Sequence, residues 1–167
     1  MLFIGVGMVS TAGPAYLILL KLHRPLGFAI LVLVLVRLPL RLATGAPPSP
    51  ADLPPMQKRI ACGSHVLLYL ALFAMPLIGW GMQSAGGYPV QLTSTLALPR
   101  ILPQDLALYA FLRAAHTVVA LLFFALILLH LSAALMHGLI RRDGVLRSMT
   151  TGHQHARRDK AGSSRVE

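Results

Sequence analysis

Three long apolar runs, at residues 21–42, 60–82 and 109–140, constrain this 167-residue chain more than any other feature. An α-helix rises about 1.5 Å per residue, so about 20 apolar residues cross a hydrocarbon core of about 30 Å. All three runs meet that length, and the last exceeds it, which calls for tilt or for extension past the bilayer. None shows the alternation of a strand, and an open sheet edge in lipid leaves backbone groups without partners, so helices are the expected form. Composition agrees, since 56% of the residues are apolar and 12% charged, outside the balance of a water-soluble domain. A fourth apolar stretch, residues 1–13, reaches about 20 Å as a helix, less than the core thickness. It reads as the second half of a span whose first half precedes Met1. No basic segment leads it as a secretory signal requires, although Ser10, Ala12 and Gly13 imitate a cleavage site. The expected fold is an all-α membrane protein, a four-helix transmembrane bundle with a truncated first span.

A formal net charge of +10 suggests nucleic acid only if the basic residues share a face, and here they flank the apolar runs instead. Arg37, Arg41, Lys58 and Arg59 surround the first connection, and Arg141, Arg142, Arg147, Arg157, Arg158, Lys160 and Arg165 follow the last run. By the positive-inside rule these eleven mark the cytoplasmic side, against Lys21, Arg24, Arg100 and Arg113 on the other, so both termini are expected in the cytoplasm. Residues 43–55 carry Pro47, Pro48, Pro50, Pro54 and Pro55 and read as an extended linker. The outer connection, about residues 83–108, holds Pro89, Pro99 and Pro103 and enough apolar residues to lie along the membrane surface and cap a site. Residues 1–150 are expected to form the membrane domain, and residues 151–167 a disordered basic cytoplasmic tail. Pro39 and Pro76 are expected to kink their helices, and Trp80 and Tyr109 to anchor at the interface.

The chemistry lies in the histidines. His23, His65, His116 and His130 fall in or at the ends of the runs, where an ionisable group is costly and marks a functional site, with interhelical hydrogen bonding as the competing role. His116 and His130 stand fourteen residues apart on one run, about 3.9 turns, so they share a face to within about 40° and lie about 21 Å apart along the axis. Each can ligate its own haem, one near each membrane surface, close enough for electron tunnelling, or each can bond to a neighbouring helix. His23 matches His116 in depth, and a bis-imidazole haem between them is the stronger site, with Gly27 either leaving room for a flat macrocycle or serving simple helix packing. His130 has only His65 at its level, and His65 equally suits a supporting role beside a ligand ring or a propionate. Lys21, Arg24 and Arg113 surround the outer site, where they neutralise propionates, attract an anionic substrate or snorkel to the interface. His137, His153 and His155 fall near or beyond the cytoplasmic boundary and read as solvated. The single Cys62 permits no internal disulfide, and no cysteine spacing suits zinc or covalent haem attachment. No Ser-His-Asp set, P-loop or acid pair suggests hydrolysis or phosphoryl transfer.

The segments LHRPLG at His23, SHVLLYL at His65 through Met75 and Pro76 to IGW at Trp80, LHLSAALMH from His130, and RRDGVLRSM from Arg141 resemble the bacterial cytochrome b561 family over nearly the whole chain. Cytochrome b subunits of nickel hydrogenases and gamma subunits of formate dehydrogenase have similar four-helix architecture. The resemblance implies a four-span, dihaem b-type cytochrome of the bacterial inner membrane exchanging electrons with the quinone pool. It implies an outer haem on His23 and His116, and an inner haem on His130 with a histidine near the start of the first span. This sequence has no such histidine, so one haem is supported by its residues, and truncation or loss of the inner haem are the two explanations. Some members oxidise superoxide, and the cationic rim of Arg24 and Arg113 suits that substrate; others accept electrons from a periplasmic partner. The alternative function is a haem-free membrane scaffold. Lipid and quinone are the expected partners, and nucleic acid is not.

Overall fold

A computed structural model of the protein describes residues 1–11, 13–45, 54–93 and 95–141. The described residues form four α-helices: α1 (Leu2–Ser10), α2 (Pro14–Thr44), α3 (Pro55–Ala85) and α4 (Leu106–Leu135), the last continuing into a π-helical turn over Met136–Arg141. Two short strands, β1 (Val90–Gln91) and β2 (Ala97–Leu98), lie between α3 and α4. Helices α2 and α3 are 31 residues long and α4 is 30, so each measures about 45 Å. Three helices are therefore long and apolar enough to cross a membrane. With nine residues α1 reaches about 14 Å and falls short.

Burial runs opposite to that of a water-soluble bundle. Nothing in the most apolar stretch of α3 or α4 is buried inside the protein, and Leu33, Leu121 and Leu129 stand exposed. Apolar surface on that scale is driven out of water and is matched by lipid tails. The buried apolar side chains are Leu31 and Val34 in α2, Ala85 at the end of α3 and Val90 in β1.

Local chemistry explains the helix ends. Pro14 and Pro55 open α2 and α3 at positions whose amide hydrogens have no partner inside the helix. Asp105 caps α4, its Oδ1 accepting from the Leu108 amide at 2.8 Å. After α3 the chain turns through Gly87, whose φ of 77° and closeness to Gln104 both favour a residue without a side chain. Pro25 and Pro39 lie inside α2 and Pro76 inside α3, each removing one helical hydrogen bond.

Helix α3 packs most extensively on α4 and less on α2, while α1 lies on α2. Gly86 faces Tyr109, Gly79 faces His116 and Ser64 reaches His130, so α3 and α4 run antiparallel in one unbroken register. Two contacts set α3 against α2: the Phe28 and Trp80 rings at 6.4 Å, and Arg37 Nε donating to the Tyr69 hydroxyl at 3.3 Å.

The structure differs from the sequence reading in two ways. The helices extend past the apolar runs, α2 beginning seven residues before Lys21, because lipid-facing hydropathy fades before helical hydrogen bonding does. The outer connection is not wholly helical or irregular: β1 and β2 pair antiparallel, Val90 opposite Leu98. This hairpin turns back onto the helix ends, where the backbone groups that follow it find partners. Trp80 Nε1 donates to the Pro99 carbonyl at 2.9 Å, the Ile101 amide donates to Ser84 Oγ at 3.3 Å, and Val90 is buried. The prolines at 47, 48 and 50, and the proposed tail with His153 and His155, lie outside the described residues.

Candidate functional site

The histidines meet in two pairs, one at each level of the bundle. His23 lies nine residues after Pro14, more than two turns inside α2 rather than at its tip, because the helix starts earlier than the apolar run. There its ring meets that of His116 from α4, with centroids 6.1 Å apart and planes at 74°. Toward the opposite end, His65 of α3 meets His130 of α4 with centroids 5.2 Å apart and planes at 63°. The pairing follows from register. Fourteen residues separate His116 from His130 on α4, and the antiparallel α3 presents Gly79 to the first and His65 to the second, again fourteen residues apart.

The two levels differ in how their imidazoles are satisfied. At the hairpin end the Nδ1 atoms of His23 and His116 are buried and have no hydrogen-bond partner. Buried polar atoms of that kind call for a ligand or an explanation. At the other level His130 Nδ1 lies 3.4 Å from Ser64 Oγ, and Ser64 also donates to the Ala61 carbonyl at 2.8 Å.

Room beside the first pair comes from an unexpected glycine. A Cβ on Gly79 would stand 3.2 Å from His116 Cε1, so the bare α3 backbone is what lets that ring lie against the helix. At Gly27, the glycine singled out in the sequence, a Cβ would meet the Met1 Cε at 3.3 Å, so the N-terminal segment packs against it. Of the three outer cations, Arg24 turns inward, with its Nε buried and without a partner. Lys21 and Arg113 are exposed. Gln83 Oε1 is the fourth buried polar atom without a partner among the described residues, and it too belongs to the hairpin end. His137 lies in the π-helical turn, away from both pairs in sequence.

Sequence reasoning passed over Ser64, Gly79 and Gln83. The mirrored fourteen-residue interval was the available signal for Gly79, and the neighbouring His65 for Ser64. An apolar groove of about 500 Å³ between α3 and α4, lined by residues such as Leu70, Ala74, Val119 and Phe123, offers no donor or acceptor, so the polar chemistry stays with the histidines.

Among the described residues no group of three or more His, Cys, Asp or Glu converges, so the donors are offered as imidazole pairs rather than as a cage. Two metal–imidazole bonds of about 2 Å, with the depth of both rings behind them, set centroids about 6 Å apart. The His23–His116 spacing fits a bis-imidazole cofactor site. The His65–His130 rings, at 5.2 Å, stand closer than that spacing.

Long lipid-facing helices with imidazoles paired between them define the class: an integral membrane protein of the helical cytochrome type. Residues 1–152 match the family profile of prokaryotic cytochrome b561, and the chain belongs to that family. It is 30% identical over 132 residues to cytochrome b561 homolog 2 of Escherichia coli (strain K12), covering 77% of this chain and 69% of the relative. It is 31% identical over 132 residues to the probable superoxide oxidase CybB of Yersinia pestis, covering 77% and 72%. Cytochrome b561 homolog 1 of Escherichia coli (strain K12) is 26% identical over 143 residues, covering 86% and 81%. Membrane electron transfer is the family's work, and b-type haem is the cofactor it implies.

Proposed function

We propose that this protein is a b-type haem cytochrome of the bacterial inner membrane that carries electrons to or from the quinone pool. The observation that carries the reading is the stacking of two imidazole pairs along one helix, His116 with His23 and His130 with His65. About 21 Å of α4 separates the two levels. On this reading His23 and His116 would hold one haem, and His130 would be a ligand to a second, with His65 beside it. When bound, haem supplies reversible one-electron chemistry at iron. The chain supplies axial nitrogens, a low dielectric, exclusion of water by the apolar helices and positive charge from Arg24 beside His23. Helix α1 completes a four-helix bundle, the hairpin faces the periplasm, both termini lie in the cytoplasm, and residues 1–150 form the domain ahead of a basic tail at 151–167.

A second reading, superoxide oxidation coupled to quinone reduction, is favoured by the cationic hairpin end with Lys21, Arg24 and Arg113 and by the likeness to the Yersinia pestis relative. A reduced-minus-oxidised spectrum with a haem-to-protein ratio, on protein purified from haem-replete cells, tests the cytochrome reading. A b-type spectrum with two haems per chain is expected. Absence of b-type absorption would remove the reading and leave a haem-free scaffold. Superoxide-dependent quinone reduction by the purified protein alone separates the enzyme from the conduit.

A further inference from the structure

Ser64 occupies a position that nothing in the haem reading requires, one residue before His65 and within reach of His130 on the neighbouring helix. A serine hydroxyl has one hydrogen to give and two lone pairs to receive. The Ala61 carbonyl, 2.8 Å from Ser64 Oγ, is an acceptor with no hydrogen of its own, so the hydroxyl hydrogen goes there. Facing His130 Nδ1 at 3.4 Å, the same oxygen is then left as an acceptor. In that arrangement the hydrogen between them resides on the imidazole.

We propose that Ser64 is a positioning residue for His130, holding its ring in the tautomer with hydrogen on Nδ1 and leaving the Nε2 lone pair free for a metal. The chain of donation runs one way, from His130 Nδ1 to Ser64 Oγ to the Ala61 carbonyl, and it ends on backbone that cannot reverse it. A neutral imidazole carries one hydrogen, and the bond made by one nitrogen selects the role of the other. The inference rests on the reading of His130 as a haem ligand and deepens it.

A difference between the two levels follows. Neither His23 nor His116 has such a partner at Nδ1, where both nitrogens are buried and unbonded, whereas His130 does. An axial imidazole that donates from Nδ1 is a more electron-rich ligand and favours the oxidised metal, so the Ser64 bond lowers the reduction potential of the haem it serves. The hairpin-end haem gains no such bias from the chain.

The test uses the full-length haem-loaded protein, with haem content and a potentiometric titration measured on Ser64→Ala, Ser64→Thr and His130→Ala. Ser64→Ala is expected to keep its haem content, to raise the midpoint potential of one haem and to leave the other unmoved. Ser64→Thr, which restores a hydroxyl at the same depth, is expected to return that potential to the wild-type value. His130→Ala is expected to lose the component that Ser64→Ala shifts. Loss of that haem in His130→Ala with no shift in Ser64→Ala would overturn the positioning role alone. An equal shift in Ser64→Ala and Ser64→Thr would assign the effect to packing and overturn it as well. Unchanged haem content in His130→Ala would remove the ligand reading and the proposal together.

Discussion

Gly79→Ala tests whether the bare backbone of α3 is part of the haem site. The new Cβ would stand 3.2 Å from His116 Cε1 and 3.6 Å from His116 Nδ1, and ordinary contact begins near 3.4 Å, so the ring must retreat by a few tenths of an ångström. Metal–ligand distances tolerate about 0.2 Å, so the retreat is of the size that matters for ligation. It is small enough to leave the helix bundle intact: overpacking costs about 1–3 kcal/mol, and replacing a helical glycine by alanine returns about 1 kcal/mol. The expected result is a folded protein whose hairpin-end haem is bound about 10-fold to 100-fold more weakly, the range seen when a supporting residue of a metal site is changed. Gly79→Val, with two further carbons aimed at the ring, should lose that haem altogether. Gly27→Ala is the control, because its Cβ meets only the flexible tip of Met1, at 3.3 Å. The assay is haem-to-protein ratio after transfer to haem-free detergent, followed over time by the b-type absorption. Equal haem retention in wild type, Gly79→Ala and Gly79→Val, or a greater loss in Gly27→Ala than in Gly79→Ala, would refute the reasoning.

Three further outcomes are expected. His23→Ala and His116→Ala should remove the same spectral component and spare the one lost in His130→Ala; if the three variants give one common spectrum, the pairing by level is wrong. Trp80→Phe keeps the ring contact with Phe28 but loses the bond to the Pro99 carbonyl, at a cost of about 1 kcal/mol, so amide exchange in residues 90–98 should speed about fivefold while haem content holds. Arg24→Glu should slow superoxide-dependent quinone reduction more than Arg113→Glu, because Arg24 has its Nε buried beside His23 whereas Arg113 is exposed; equal effects would point to long-range attraction alone.

The membrane-spanning character of α2, α3 and α4 was legible in the sequence, because hydropathy is summed along one helix and needs no knowledge of neighbours. The fourteen-residue interval on α4 was legible for the same reason, since helical periodicity alone places His116 and His130 on one face. Which residue each histidine meets was only partly so. Depth alone matched His23 to His116, but the approach of His65 to His130 depends on the antiparallel register of α3 and α4, which the contacts of Gly86, Gly79 and Ser64 establish together. Gly27 lies one turn from His23, yet its neighbour is Met1, and the glycine that stands against His116 is Gly79, which no spacing along α2 could indicate. The hairpin escaped notice because two-residue strands carry almost no local signal and the chain after them is held by Trp80 and Ser84 at the end of α3. The imidazoles and their spacing along the chain were thus written in the sequence, while their pairing, the roles of Ser64 and Gly79, and the cover over the hairpin end were decided by lateral packing, which linear periodicity does not encode.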